Sequence, residues 1–373
     1  MRSIKDLKNI KGKRIILRAD FNVPLKKDKV VDSFRIQKTF PTILFLQKKK
    51  AKIIIISHLG DDGHTSLLPI AKILQKKIKN FSFIKEGILS NETENKINLL
   101  KNGEVVLLEN LRQEDGEKKN SPSFARALSR YGDIYVNDAF SVCHREHASV
   151  FGITKYLPGY AGFQLINEVE NLSQVFKPAH PFLFILGGSK FETKIPIIRK
   201  FIHVADNVFI GGAIANDFLK AKGYEIGNSL IDEKNFQIPL ILKAKNLVLP
   251  DDVVVSNGQK SRIAKVEEVK TNETIVDVGP ETISKLQKMV EKSSFILWNG
   301  PLGKYEDGFG GSTEKLLKII FKNKAKSVIG GGDTVTLISK LKLESKLGFI
   351  STGGGAMLDF LAKGTLPGIR VLK

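Results

Sequence analysis

Short runs of isoleucine, valine, leucine and phenylalanine alternate with amphipathic stretches along the whole of this 373-residue chain. Strand candidates fall at 14–18, 52–57, 105–108 and 134–136 in the first half. In the second half they fall at 182–186, 208–210, 247–249, 295–298, 327–329 and 348–350. Between them, residues 35–49, 67–78, 125–131, 194–204 and 313–321 carry apolar residues at helical spacing. Strands that are apolar without alternation need cover on both faces, and intervening helices supply it. The pattern therefore predicts an α/β chain with doubly wound parallel sheets.

The length suggests about two domains, and the glycines divide the chain the same way. Ten of the 32 lie in residues 1–180; the other 22 include clusters at expected strand ends, as in Gly187-Gly188, Gly211-Gly212, Gly330-Gly331-Gly332 and Gly353-Gly354-Gly355. Eight of the eleven arginines and four of the six histidines lie before residue 150. The first half is thus equipped for a small anion, and the second for a polyphosphate against backbone N–H groups. The expected division is 1–155 for the first domain and 156–360 for the second, which opens on a connecting helix at about 161–176.

The net charge of +20 comes from 48 lysines scattered over the whole chain rather than from an arginine- and aromatic-rich face. No specific nucleic-acid partner is expected from it. A single cysteine, Cys143, excludes a disulfide framework and fits a reducing compartment. The N-terminal residues lack an apolar signal core, and no apolar run approaches membrane-spanning length, so a soluble, cytoplasmic chain without a membrane partner is expected.

Polar constellations follow the apolar runs. Asp20 and Asn22, two apart in Arg18-Ala-Asp20-Phe-Asn22, point to one side of an extended segment, where they can hold hydroxyl groups. His58 follows a buried strand, where open parallel sheets bind their ligands. Arg35, Arg112 and Arg145 each stand beside a strand or helix end and suggest a converging basic pocket. In the second half, Gly187-Gly188-Ser189-Lys190 joins a buried strand to a helix, although no P-loop spacing occurs anywhere. Lys194 lies one helical turn beyond Lys190, so both ammonium groups could face one phosphate chain. Gly331, Gly332, Asp333 and Thr334 open a further helix whose N–H groups suit phosphate, with Asp333 suited to magnesium.

The segments RADFNVP, DSFRI, SHLG, LLENLR, YVNDAF with HREHAS, ILGGSK, DVGPET, LWNGPLGKYE, GGGDT, STGGGA and LPG occur in this order. In them the chain resembles the phosphoglycerate kinase family along essentially its whole length. The resemblance implies two Rossmann-like domains joined by a hinge helix and closing over their ligands, with residues from about 361 to 373 returning to the first domain. It implies a monomer that moves phosphoryl between 1,3-bisphosphoglycerate with ADP and 3-phosphoglycerate with ATP. It also implies that Asp20, Asn22, Arg35, His58, Arg112 and Arg145 bind 3-phosphoglycerate. Lys190, Lys194, Glu306, Gly331, Gly332, Asp333 and Thr334 would bind nucleotide with Mg2+, with Asp333 on the metal and Glu306 on the ribose. Arg35 and Lys190 would act on the transferring group. One departure stands out: the family continues SHLG with Arg-Pro, whereas Gly60 is followed here by Asp61-Asp62-Gly63-His64. A substrate-facing arginine is absent and two acids take its neighbourhood. A smaller departure is Gly311-Ser312-Thr313 where the family has glycine-threonine.

Overall fold

The computed structural model describes residues 1–232, 234, 237–343 and 347–372. The chain divides into two compact units, one made of Met1–Glu170 with the stretch from Lys363 onward, the other of Asn171–Ala362.

The first unit is built on six parallel strands in the order Phe81–Phe83, Val105–Leu107, Lys52–Ile56, Arg14–Arg18, Ile134–Asn137 and Gly159–Ala161. Ile53, Ile54, Ile55 and Ile56 are all fully buried. Consecutive side chains point to opposite faces of a strand, so both faces of this sheet are covered. Each such side chain contributes about 1.5–3 kcal/mol of burial. Helices Phe34–Lys48 and Leu68–Lys77 turn Ile36, Ile43, Leu46, Ile70 and Leu74 into the same core.

The chain places Lys52–Ile56, Phe81–Phe83 and Val105–Leu107 on one side of Arg14–Arg18, then returns to its other side at Ile134–Asn137. That reversal opens a crevice beyond the carboxyl ends of the strands. The second unit repeats the plan, with strands ordered Leu247–Val248, Asn207–Ile210, Phe182–Leu186, Phe295–Asn299, Lys326–Gly330 and Phe349–Ile350. Its reversal lies between Phe182–Leu186 and Phe295–Asn299, where Gly187 N–H donates to Asn299 C=O at 2.9 Å and Gly188 N–H to Pro301 C=O at 2.8 Å.

The expected strands appear to within a residue at each end. Edge strands Phe81–Phe83 and Gly159–Ala161 were not anticipated, nor was an antiparallel sheet of Ser261–Lys265, Asp252–Ser256 and Thr274–Val278. The boundary read from sequence at 155/156 falls earlier than the division of the fold, because Gly159–Ala161 pairs with Ile134–Asn137 and extends the first sheet. The division falls instead within the helix Phe163–Ser173. Asp138, buried at the strand end, accepts from the N–H groups of Gln164 at 2.8 Å and Leu165 at 3.3 Å and so secures the start of that helix.

Candidate functional site

In the first unit, the segments with Asp20 and Asn22, His58, Arg112 and Arg145 follow the carboxyl ends of parallel strands, whereas Arg35 opens the helix that follows the antiparallel pair Leu25–Lys26 and Lys29–Val30. Asp32 accepts from Phe34 N–H at 2.8 Å and starts the helix that carries Arg35. Arg35 Nη1 then lies 3.2 Å from Asp20 Oδ2 and donates to Asn22 C=O at 3.2 Å. The Asn22 side chain accepts from Gly60 N–H at 3.0 Å, tying this group to the next strand end. Asp20, Asn22 and Arg35 therefore form one assembly rather than three separate surface residues.

Behind them is a buried network that sequence reading missed. Fully buried Arg18 donates through Nε to Ser149 Oγ at 3.0 Å, and its Nη2 lies 3.1 Å from His58 Nδ1. Ser149 in turn donates from Oγ and backbone N–H to Glu117, at 2.7 and 2.9 Å. Glu117, also fully buried, stands 3.7 Å from Arg112 Nη1, which contacts His147 Nδ1 at 3.2 Å. Arg112 Nε and Nη2 are buried with no hydrogen-bond partner among the described residues. Arg145, beside His144, faces Asp61 at 3.8 Å.

An arginine only donates, so Nδ1 of His58 is the acceptor and the ring carries its proton on Nε2. Burial holds the His58 pKa well below the ordinary histidine value, and Arg18, Arg112 and Arg145 push it further the same way. Burial and Arg112 likewise lower His147 to about 3. His58 in the unliganded protein is thus a neutral N–H donor rather than a positive charge. In the unliganded protein its ring resonances are expected to stay flat between pH 5.5 and 8 in histidine-selective NMR. An inflection near the unperturbed value of ~6.5 would overturn the neutral assignment.

In the second unit, Lys190 caps the helix Phe191–Phe201 and is exposed, whereas Lys194 is buried and donates from Nζ to Gly187 C=O. Burial, then the nearby Lys190, lowers the Lys194 pKa to about 8, and Asp333 opposes the shift. Lys190 and Asp333 are therefore electrostatic neighbours of Lys194. Gly331, at φ +105°, precedes the helix Gly332–Leu341, and a Cβ there would fall 2.9 Å from Gly300 N. Only glycine meets both the backbone conformation and the close approach. Asp333 is exposed in the first turn of that helix, and buried Thr334 has no hydrogen-bond partner for its hydroxyl among the described residues. Glu306 is exposed in the turn Tyr305–Asp307, whose approach is fixed by Lys304 N–H to Val276 C=O at 2.7 Å. No hydrogen bond or ion pair among the described residues joins it to the lysine–Asp333 group. Thr313 Oγ1 accepts from Leu302 N–H at 2.9 Å and steadies the preceding loop, so the Gly311-Ser312-Thr313 variant keeps its threonine in use.

The family sequence model described as "Phosphoglycerate kinase" matches residues 4–364. The phosphoglycerate kinase of Dictyoglomus turgidum is 39% identical over an alignment spanning 100% of this chain and 99% of its own. That of Borrelia garinii subsp. bavariensis is 38% identical, with 100% and 99% covered. Among solved structures, phosphoglycerate kinase from Coxiella burnetii superposes with a TM-score of 0.84 at 35% identity, covering 99% of this chain and 98% of that one. The enzyme from Pyrococcus horikoshii OT3 gives 0.89 at 30% identity, with 100% and 98% covered. With sequence and fold matched from end to end, the chain belongs to the phosphoglycerate kinase family, phosphotransferases that exchange a phosphoryl group between 1,3-bisphosphoglycerate with ADP and 3-phosphoglycerate with ATP.

Proposed function

We propose that the arginine cluster of the first unit holds 3-phosphoglycerate and that the glycine-lined strand ends of the second hold the magnesium nucleotide. The observation that carries the first assignment is Arg112, whose Nε and Nη2 are buried without hydrogen-bond partners among the described residues, beside Arg145 and His58. Leaving charged donors unmet is costly, and an anionic ligand's oxygens would satisfy them. Arg112, Arg145 and the Nε2–H of His58 take the substrate's phosphate and carboxylate, while Asp20 and Asn22 take its hydroxyl.

The acceptor carboxylate is already ionised at neutral pH, so the reaction needs no general base. The obstacle is electrostatic, because an anion must approach a polyphosphate and negative charge spreads over the moving group. Arg35 and Lys190 meet that charge, Lys194 holds nucleotide phosphates, and Glu306 accepts from the ribose. Among the described residues no group of three or more His, Cys, Asp or Glu could hold a metal ion. Magnesium bound mainly through nucleotide phosphates and water needs only one or two carboxylates, and exposed Asp333 beside the lysine pair fits that role. When bound, the ion neutralises charge on the nucleotide. Gly331, Gly332 and Thr334 offer backbone N–H groups and a hydroxyl at the helix start. Transfer also requires that the two bound ligands meet with water excluded.

A monomer is part of the same reading, as is a cytoplasmic location, which the one free and buried cysteine supports. No helix among the described residues is long and apolar enough to cross a membrane.

Calorimetry with each ligand alone tests the assignment of ligands to units. His58→Ala and Arg145→Ala are expected to weaken 3-phosphoglycerate while changing nucleotide affinity by less than about twofold, or under ~0.5 kcal/mol. Glu306→Ala and Asp333→Ala are expected to do the reverse, and a swapped pattern would overturn the assignment.

A further inference from the structure

The turn after Gly60 is braced at several points. Asn110 Nδ2 donates to Leu59 C=O at 2.7 Å and to Thr65 C=O at 2.8 Å, clamping both ends, and Asn22 holds Gly60 N–H. Gly63, at φ +81°, packs where a Cβ would lie 2.3 Å from the Arg112 carbonyl oxygen, so the turn is pressed against the backbone of a cluster arginine. Ser66 and Leu67 are tied to Glu109, at 2.5 and 3.1 Å. The result is a braced backbone on either side of Asp61. Its carboxylate Oδ1 stands 3.8 Å from Arg145 Nη1, and its carbonyl accepts from Lys118 Nζ. Its charge reaches Arg112 as well, where it favours the protonated guanidinium. Asp62, one residue on, accepts from His64 N–H at 3.1 Å and makes no ion pair with Arg145 among the described residues.

We propose that Asp61 is a specificity-determining residue that acts as a placeholder anion, occupying Arg145 in the empty site so that an incoming anionic substrate must displace it. The inference rests on the assignment of this cluster to 3-phosphoglycerate. The pair is exposed, with side-chain accessibilities of 40% for Arg145 and 74% for Asp61, and is longer than a hydrogen bond. Such a pair is weak and yields readily to a multiply charged ligand. The cost falls on every anion that uses Arg145. A singly contacting ion such as sulfate cannot recover it, whereas a substrate anchored also at Arg112 and Asn22 can. The residue that replaces the family's arginine would then trade affinity for rejection of small anions. Lys118, held on the Asp61 carbonyl, keeps a positive charge beside the turn when the carboxylate leaves Arg145.

The test is Asp61→Asn, which removes the charge at nearly constant shape, with Asp62→Asn as the control. Steady-state kinetics at saturating ATP, with 3-phosphoglycerate varied, gives KM and kcat for both variants, and added inorganic sulfate gives the inhibition. Asp61→Asn is expected to lower KM by about three- to tenfold, the scale of one exposed pair given up and one repulsion removed. Sulfate should become a tighter competitor by at least the same factor, with kcat changed less than about twofold, and Asp62→Asn should move none of these. An unchanged or raised KM in Asp61→Asn overturns the inference, as does an equal fall in Asp62→Asn, which would reduce the effect to net charge. Arg145→Ala, measured by calorimetry with 3-phosphoglycerate, separates the two layers. If it fails to weaken binding, the site assignment falls. If it weakens binding while Asp61→Asn tightens nothing, only the placeholder falls. Asp61→Arg provides a second variant, expected to lower KM at least as far.

Discussion

Replacing Arg35 or Lys190 by alanine is expected to lower kcat by at least about a hundredfold while changing KM far less. Donors that meet charge only as it develops act on the transition state more than on bound substrate. Arg35 is prepared for this, since Asp20 and the Asn22 carbonyl fix its guanidinium at 3.2 Å each before any ligand arrives. Reorganisation at the moment of transfer is therefore small. Lys190 is different: it caps its helix exposed, next to a buried Lys194 already committed to the Gly187 carbonyl. On the proposed assignment Lys194 suits a standing contact with nucleotide, while Lys190, whose ammonium has no hydrogen bond or ion pair among the described residues, suits the transferring group. Steady-state kinetics on both variants decides the matter. Near-normal kcat in either would remove that residue from the transferring phosphoryl.

The second large effect is structural. Glu117→Ala is expected to destabilise the first unit by about 3–5 kcal/mol, the usual cost of breaking a buried ion pair by deleting one partner. Glu117 is fully buried and meets Arg112, both Ser149 donors and, at 3.9 Å, His147. Without it the Arg112 guanidinium loses the neighbour that offsets its burial, and Ser149 loses the acceptor for the hydroxyl that also receives Arg18. Glu117→Gln keeps the shape and one acceptor oxygen, so a smaller loss of about 1–3 kcal/mol is expected. Urea unfolding followed by near- and far-ultraviolet circular dichroism measures both, and each domain transition is fitted separately. A loss under about 1 kcal/mol for Glu117→Ala would show that water replaces the carboxylate without strain.

Glu117 also shows where sequence reading stops. In Asp115-Gly-Glu117-Lys-Lys-Asn it looks like part of a solvated charged turn, and nothing local distinguishes it from Asp115, whose side chain is 97% exposed. Its burial is a tertiary event, made when Ala148 N–H and Ser149 N–H dock on the helix Asp115–Lys118. Arg18 was visible only as the first residue of a motif; inside a strand it gave no sign that it would be wholly enclosed and bonded to His58. The central strands, by contrast, announced themselves because a sheet covered on both faces leaves no polar residue to interrupt the run. The short edge strands and the antiparallel sheet lack that signature. In Ser261–Lys265 exposed and covered residues intermix, and the Asn257-Gly258 turn before it was the cue available. The arginine cluster was legible because strand ends order it, and its neutral histidine was not, because burial sets that charge state.

The path of the chain through the first unit has a consequence for biosynthesis. That unit is made from two stretches separated by the 192 residues of Asn171–Ala362. Leu372, fully buried, lies against Gly159, and its carbonyl accepts from Arg2 N–H at 3.0 Å. Gly368 donates to the Cys143 carbonyl at 2.9 Å, and Leu366 is wholly enclosed. On a ribosome the second unit emerges as one uninterrupted block, whereas the first waits for its last helix until that block has been made. Vectorial synthesis, which ordinarily lets the N-terminal domain finish first, is inverted here. The stretch translated before the second unit is sealed only after it, and until then the surfaces around Cys143, Val150 and Gly159 that meet Gly368 and Leu372 lack that cover.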